Sequence, residues 1–248
     1  MMSKQPSTKY RPFAPVGLKD RTWPDARITR PPVWCSVDLR DGNQALIEPM
    51  DIERKLRMFR ALVDIGFKEI EVGFPSASQT EFDFVRLLIE GGHVPADVTL
   101  VVLTQAREHL IRRTLESVRG ARRVIVHVYT ATAPLFREVV FRLSREEVTA
   151  MAVEAVRLVR ELAQGLAGTR VDLEYSPENF SSTELDFAKA ISDAVVEAWG
   201  ATADRKVVLN LPATVEVATP NVYADQIEWM HRNLARREAI VLSVHPHN

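Results

Sequence analysis

The 248-residue chain holds one cysteine, Cys35, so no disulfide can form within it and its stability must come from a packed core. That usage fits a reducing compartment, and a cytoplasmic protein is expected. No stretch reaches the ~18 consecutive apolar residues that a membrane-spanning helix needs. The first residues, MMSKQPSTKYRPF, lack the apolar core of a secretory signal. An excess of one charge is missing as well: 32 Lys and Arg face 33 Asp and Glu, leaving a net charge of -1. Neither nucleic acid nor a membrane surface is therefore expected as a partner. Low-complexity tracts and glycine-rich linkers are absent too, so no domain boundary is expected after residue 30.

What remains is ordinary globular composition, 46% hydrophobic and 26% charged. Residues 1–30, rich in Pro, Lys and Arg and poor in periodicity, read as an extended arm. The apolar groups of FAPVGLKDRTWP favour an arm that docks, on this chain or on a partner subunit, over a disordered tail. From residue 31 the pattern is regular. Short Val-, Ile- and Leu-rich runs recur at 33–39, 68–74, 98–104, 123–129, 170–176, 206–212 and 239–245, as expected of strands buried on both faces. Helical segments lie between them. Residues 51–65 carry Ile52, Leu56, Phe59, Leu62 and Val63 on one stripe. Residues 144–163 open with a capping box, Ser144 and Glu147. Residues 183–199 carry Leu185, Phe187, Ala188, Ile191 and Val195. Repeated strand–helix units make a doubly wound sheet or a (β/α)8 barrel. Seven strands fit an α/β fold of the TIM (β/α)8 barrel type truncated after the seventh strand: an N-terminal arm, 1–30, and a partial catalytic barrel, 31–248.

Catalytic groups of a parallel barrel gather at the C-terminal ends of its strands. The first run ends in Arg40-Asp41-Gly42-Asn43, both charge signs crowded together, with Gly42 suited to a tight turn. A strand-end ion pair capping the next helix is the structural alternative. The seventh run ends in His245-Pro246-His247, and residues i and i+2 of a strand face one side. Two imidazoles and the Asp41 carboxylate make a facial ligand set for a divalent cation with open positions left for substrate. Leu103 and Thr104, His127 and Tyr129, Glu174, Ser176 and Glu178, and Asn210 and Thr214 end the intervening runs. Singly, each suits a core or capping role; together they share one end of the sheet.

Several segments, RDGNQAL (40–46), EIEVGFPSASQTEFDFVR (69–86), VLTQAR (102–107), YSPENF (175–180), LPATVE (211–216) and SVHPHN (243–248), resemble the 2-isopropylmalate synthase family in its longer actinobacterial and fungal form. The resemblance runs from about residue 10 to the last residue. Related homocitrate and citramalate synthases and hydroxymethylglutaryl-CoA lyase share the arginine–acid–glycine turn and His-x-His, but differ after the glycine, where this chain has Asn43. The resemblance implies a Claisen condensation of acetyl-CoA with 3-methyl-2-oxobutanoate, the first committed step of leucine synthesis, by a homodimer when complete. It implies Mg2+ or Mn2+, with Zn2+ as the alternative, on Asp41, His245 and His247. Arg40 would stabilise the developing oxyanion. His127, Ser176 and Thr214 would position the oxo acid, Glu178 and Tyr129 would shape the pocket, and Leu103 would touch the branched alkyl group.

The chain departs from the family where it lacks the Gly-Asn-Gly-Glu-Arg segment of the last barrel strand, the helical subdomains that supply a catalytic histidine and tyrosine, and the regulatory domain. Two other readings follow: an inactive truncated fragment whose open strand edges make it poorly soluble, or a related synthase for another 2-oxo acid.

Overall fold

Buried strands alternating with amphipathic helices need only register to become a sheet, and in the computed structural model, which describes residues 5, 8 and 12–247, they form one. Its seven strands are β1 (Cys35–Ser36), β2 (Glu69–Gly73), β3 (Thr99–Gln105), β4 (Arg123–Ala131), β5 (Arg170–Glu178), β6 (Val207–Ala213) and β7 (Ile240–Pro246). They pair in chain order, every pair parallel. Six helices make the crossovers: α1 (Ile52–Ile65), α2 (Gln79–Glu90), α3 (Glu108–Ser117), α4 (Arg145–Gln164), α5 (Leu185–Trp199) and α6 (Pro220–Asn233). This is the expected α/β barrel as far as its seventh strand. Among the described residues, β1 and β7 each have one strand neighbour.

Local chemistry explains the helix starts. Asp51, Ser78 and Ser144 cap α1, α2 and α4 by accepting from the backbone three residues on, and Glu147 completes the capping box at Ser144. The expected helix at 183–199 begins instead at Leu185, with Glu184 at its N-cap.

The strands divide their side chains between two environments. Val124, Val126, Val128, Leu173, Tyr175, Leu209 and Leu211 join one apolar layer with Phe84, Leu88, Ile111, Val156 and Ile191 of the helices. Each such side chain, once fully buried, contributes about 1.5–3 kcal/mol. The intervening residues face the barrel interior, and there the polar groups collect: His127, Ser176 and Asn210 are buried on that side.

Two local expectations need correction. The first run is a strand only at Cys35–Ser36, with Val33 and Trp34 exposed at 75% and 69%. Residues 38–42 instead coil into a wide helical turn, in which Leu39 alone is buried. Gly42 sits in that turn without a positive φ, and a Cβ there would meet only ordinary contacts, nearest 3.8 Å. The conformational freedom of glycine is therefore not what aims Arg40 and Asp41.

Part of the arm is tied to α6. Arg21 grips Asp225 with two bonds of 2.7 Å, Trp23 Nε1 donates to the same carboxylate at 2.8 Å, and the backbone and hydroxyl of Thr22 donate to Glu228. Residues 1–4, 6, 7 and 9–11 of the expected arm lie outside the described residues.

Candidate functional site

Inward-facing residues of successive parallel strands come level when the strands are in register, and the register here aligns the polar ends. Leu103 pairs with His127, His127 with Glu174, Tyr129 with Ser176, and Pro212 with His245. The result is a cavity of about 240 Å3 at the C-terminal mouth of the sheet. It is lined by Arg40, Asp41, Leu103, His127, Tyr129, Ser176, Glu178, Thr214, His245 and His247, so every residue expected from the sequence to act on metal or substrate meets there. Thr104 does not, being a fully buried residue outside the lining, with its hydroxyl on the Gln105 carbonyl.

At one side of the cavity the ends of the sheet meet. His245 Nε2 lies 3.3 Å from Asp41 Oδ2, and the rings of His245 and His247 stack with centroids 4.8 Å apart and planes 16° apart. One ligand atom from each of the three residues falls within 4.8 Å of the others. Two ligands held about 2.1 Å from one ion at roughly 90–110° stand about 3.0–3.4 Å apart, so the Asp41–His245 spacing suits a shared cation. Burial, with Arg40 and His247 nearby, lowers the pKa of His245 against the pull of Asp41, favouring the neutral imidazole that a metal requires. The donor set and its spacing thus fit the divalent cation that the sequence implies.

Arg40 is held from two sides. Its Nη1 meets Asp41 Oδ1 at 2.5 Å, which leaves Oδ2 toward His245, and its Nε and Nη2 meet Glu71 Oε2 at 2.8 and 2.6 Å. Glu71 is 2% exposed on β2 and also takes His127 Nδ1 on Oε1 at 2.8 Å. Burial alone would raise its carboxyl, but Arg40 and His127 outweigh that and hold it down at about 2. An ionised Glu71 fixes the next links. His127 Nδ1–H donates to it, and His127 Nε2 faces Ser176 Oγ at 2.7 Å, which in turn accepts from Asn210 Nδ2 at 2.9 Å. Burial pulls the His127 pKa down, but Glu174 and Glu71 raise it above the ordinary value. Glu174, buried beside Glu71, is pushed up to about 7 by desolvation, against the opposing effect of His127. A relay therefore runs from Arg40 after β1 through β2, β4 and β5 to Asn210 on β6, with the Glu71 carboxylate in it held ionised and Glu174 beside it pushed up to about 7.

The far wall is less charged. Thr214 Oγ1 donates to Glu178 Oε1 at 2.7 Å. Gln105 Nε2 donates to Tyr129 Oη at 2.7 Å, and Phe74 meets the Tyr129 ring edge-on at 6.5 Å. With the phenol oxygen already accepting, its own proton is free to point into the cavity.

Sequence reasoning assigned no role to Glu71, Gln105, Phe74, Gln44 or Pro212. The signal for Glu71 was present: two glutamates, Glu69 and Glu71, at i, i+2 inside an otherwise apolar run. In a strand covered on both faces, that spacing points both carboxylates into the barrel.

The HMGL-like family model matches residues 31–248. The chain is 66% identical over 247 residues to the 2-isopropylmalate synthase of Ralstonia nicotianae and 65% identical to those of Ralstonia pickettii and Parvibaculum lavamentivorans. Each match covers the whole of this chain but only 43–44% of the relative, so the chain spans less than half the length of these curated relatives. Among solved structures, hydroxymethylglutaryl-CoA lyase from Pseudomonas aeruginosa is similar in fold, with a TM-score of 0.59 at 20% identity, covering 85% of this chain and 66% of the lyase.

Proposed function

The chain belongs to the HMGL-like family, and we propose that within it the chain carries the metal and 2-oxo-acid half of a 2-isopropylmalate synthase site. The proposed reaction is a Claisen condensation of acetyl-CoA with 3-methyl-2-oxobutanoate in the cytoplasm, by a homodimer when the protein is complete. The observation that carries this reading is the meeting of Asp41, His245 and His247 within 4.8 Å, beside an arginine whose charge is fixed by two carboxylates.

Asp41, His245 and His247 are the proposed ligands of a divalent cation, Mg2+ or Mn2+. When bound, such an ion supplies Lewis acidity toward a keto carbonyl. Arg40 is the catalytic residue: its guanidinium is already aimed at the mouth, so it meets a developing alkoxide with no reorganisation. Glu71 and Asp41 keep it there. Ser176 and His127 offer a hydroxyl and an imidazole to the oxo acid. Thr214, whose hydroxyl rests on Glu178, would turn it to donate to the substrate's carboxylate. Leu103, on the apolar part of the lining, packs against the branched alkyl group. Tyr129, with its oxygen held by Gln105, closes the pocket and directs a donor inward. The division into an arm (1–30) and a barrel (31–248) is part of this proposal, and among the described residues the latch of Arg21, Thr22 and Trp23 on α6 supports it.

Two measurements test this, one on the purified chain and one on the full-length protein. Calorimetric titration with 3-methyl-2-oxobutanoate should show binding that requires Mg2+ or Mn2+ and disappears in Asp41→Ala. In the full-length protein, thiol release from acetyl-CoA should be greatest with 3-methyl-2-oxobutanoate among that acid, pyruvate, 2-oxobutanoate and 2-oxoglutarate. Oxo-acid binding that ignores the metal, or turnover that prefers another acid, would refute the assignment.

A further inference from the structure

At the opposite end of the sheet, beneath β5 and β6, lies a second cavity of about 330 Å3. Three arginines line it from three segments: Arg160 from the last turns of α4, Arg170 from the start of β5, and Arg205 from the loop before β6. Thr169 and Gln164 complete its polar lining. Arg170 spends its Nε on Asp172, at 3.1 Å. Among the described residues, Arg160 and Arg205 pair with no carboxylate. Arg160 gives one bond to the Ala198 carbonyl at 3.2 Å, and Arg205 one to the Val171 carbonyl at 3.3 Å. A guanidinium has five donors, so both keep most of theirs.

The surroundings hold these charges in place. The Arg205 guanidinium lies 4.7 Å over the ring of Trp199, a side chain 1% exposed. Gly200, at a φ of 73°, lets Arg160 lie close: a Cβ there would stand 3.3 Å from Arg160 Nη1. Three buried side-chain polar atoms among the described residues lack a hydrogen-bond partner, and two of them, Thr169 Oγ1 and Trp199 Nε1, belong to this corner. A buried hydroxyl without a partner costs about 1–3 kcal/mol. Capping of the α5 C-terminus accounts for one bond of Arg160, but for neither Arg205 nor the Thr169 hydroxyl.

We propose that this cavity is a binding site for the phosphate group of a small molecule, remote from the reaction. Two guanidinium forks that no carboxylate neutralises line it from two segments, with the unpartnered Thr169 hydroxyl beside them. A tetrahedral dianion with several acceptor oxygens satisfies such a set, whereas a planar carboxylate engages a single fork. Strands β5 and β6, which enter here, are those that deliver Ser176, Glu178 and Asn210 to the other mouth.

The test is titration of the purified chain with inorganic phosphate at constant ionic strength, read by calorimetry and by tryptophan fluorescence, since Trp199 lies under Arg205. Saturable binding of one phosphate per chain, with Kd of about 1 mM or tighter, is expected. Arg160→Gln and Arg205→Gln, both at exposed positions, should each weaken it at least ~10-fold with unchanged circular dichroism. Glycerol 3-phosphate is the second arm: tighter binding than inorganic phosphate assigns the site to a phosphomonoester, and equal binding assigns it to free phosphate. Absence of saturable binding, equal affinity in both variants, or malonate binding as well as phosphate would overturn the proposal.

Discussion

Replacing Glu71 by glutamine keeps the shape of the side chain and removes the charge that joins Arg40 to His127. Glutamine approximates the protonated carboxyl, so the consequence can be worked from the titration of Glu71 itself. Its carboxyl titrates at about 2 in the folded chain against an ordinary 4.5. The folded value is the lower one, so its stabilisation is complete above pH 4.5 and is lost as pH falls toward 2. At about 1.4 kcal/mol per tenfold, the ionised form contributes about 3 kcal/mol at neutral pH. Glu71→Gln should therefore lower the stability of the chain by about 3 kcal/mol at pH 7, within the range for breaking a buried pair. The corresponding fall in Tm is roughly 6–12 °C for a domain of this size. At pH 3 the wild-type chain has already lost more than half of the benefit, and the gap should narrow to roughly 1 kcal/mol. Urea unfolding followed by circular dichroism at both pH values measures the two gaps. A difference under about 1 kcal/mol at pH 7, or one that stays constant down to pH 3, would show that the Arg40–Glu71–His127 contacts do not bind the charge as argued.

In the full-length protein, Asp41→Ala and His245→Ala should lose bound metal and activity together, while Arg40→Ala keeps the metal and loses on the order of 10^2–10^3 in turnover; equal metal content in all three, by elemental analysis, would refute the ligand set. Leu103→Ala should shift selectivity toward 2-oxo acids with larger alkyl groups by roughly 10–200-fold in kcat/KM, and unchanged selectivity would remove Leu103 from the substrate's path. Asp225→Ala takes away the partner of Arg21 and Trp23, so trypsin should cut the arm at Arg21 or Arg27 on the order of tenfold faster; an unchanged cleavage rate would mean that the latch does not hold the arm.

The parts of the fold visible in the sequence are those governed by local rules. Ser144 and Glu147 announce the start of α4 because a capping box uses only residues three apart. The strands from β2 to β6 show as apolar runs because both of their faces are covered, whereas β7 shows as one although Val241 and Val244 stand exposed at the edge of the sheet. β1 misled for the same reason in reverse: Val33 and Trp34 look like core residues yet stand exposed, and the chain coils at Asp38 instead of extending. For the site, strand ends and the i, i+2 rule bring out His127, Tyr129, Ser176 and the two histidines of β7. Glu71 escaped because its meaning depends on Arg40 and His127, which lie 31 and 56 residues away in the chain. Only the curvature of the sheet brings the three together. Gln105 was hidden likewise, since its role is to hold the phenol of Tyr129 from the neighbouring strand.

The junction of Asp41 with His245 gives a proposed cation a second meaning, as a reporter of assembly. Asp41 follows β1 and His245 lies on β7, so the pair closes a loop of about two hundred residues that no shorter stretch of the chain can complete. His245 faces Asp41 only while Pro212 stays opposite it on β6. A slip of one residue between those strands would turn His245 and His247 away from the mouth. Metal affinity would then score whether all seven strands have been laid down in order and in register, a check that no single strand pair could make by itself.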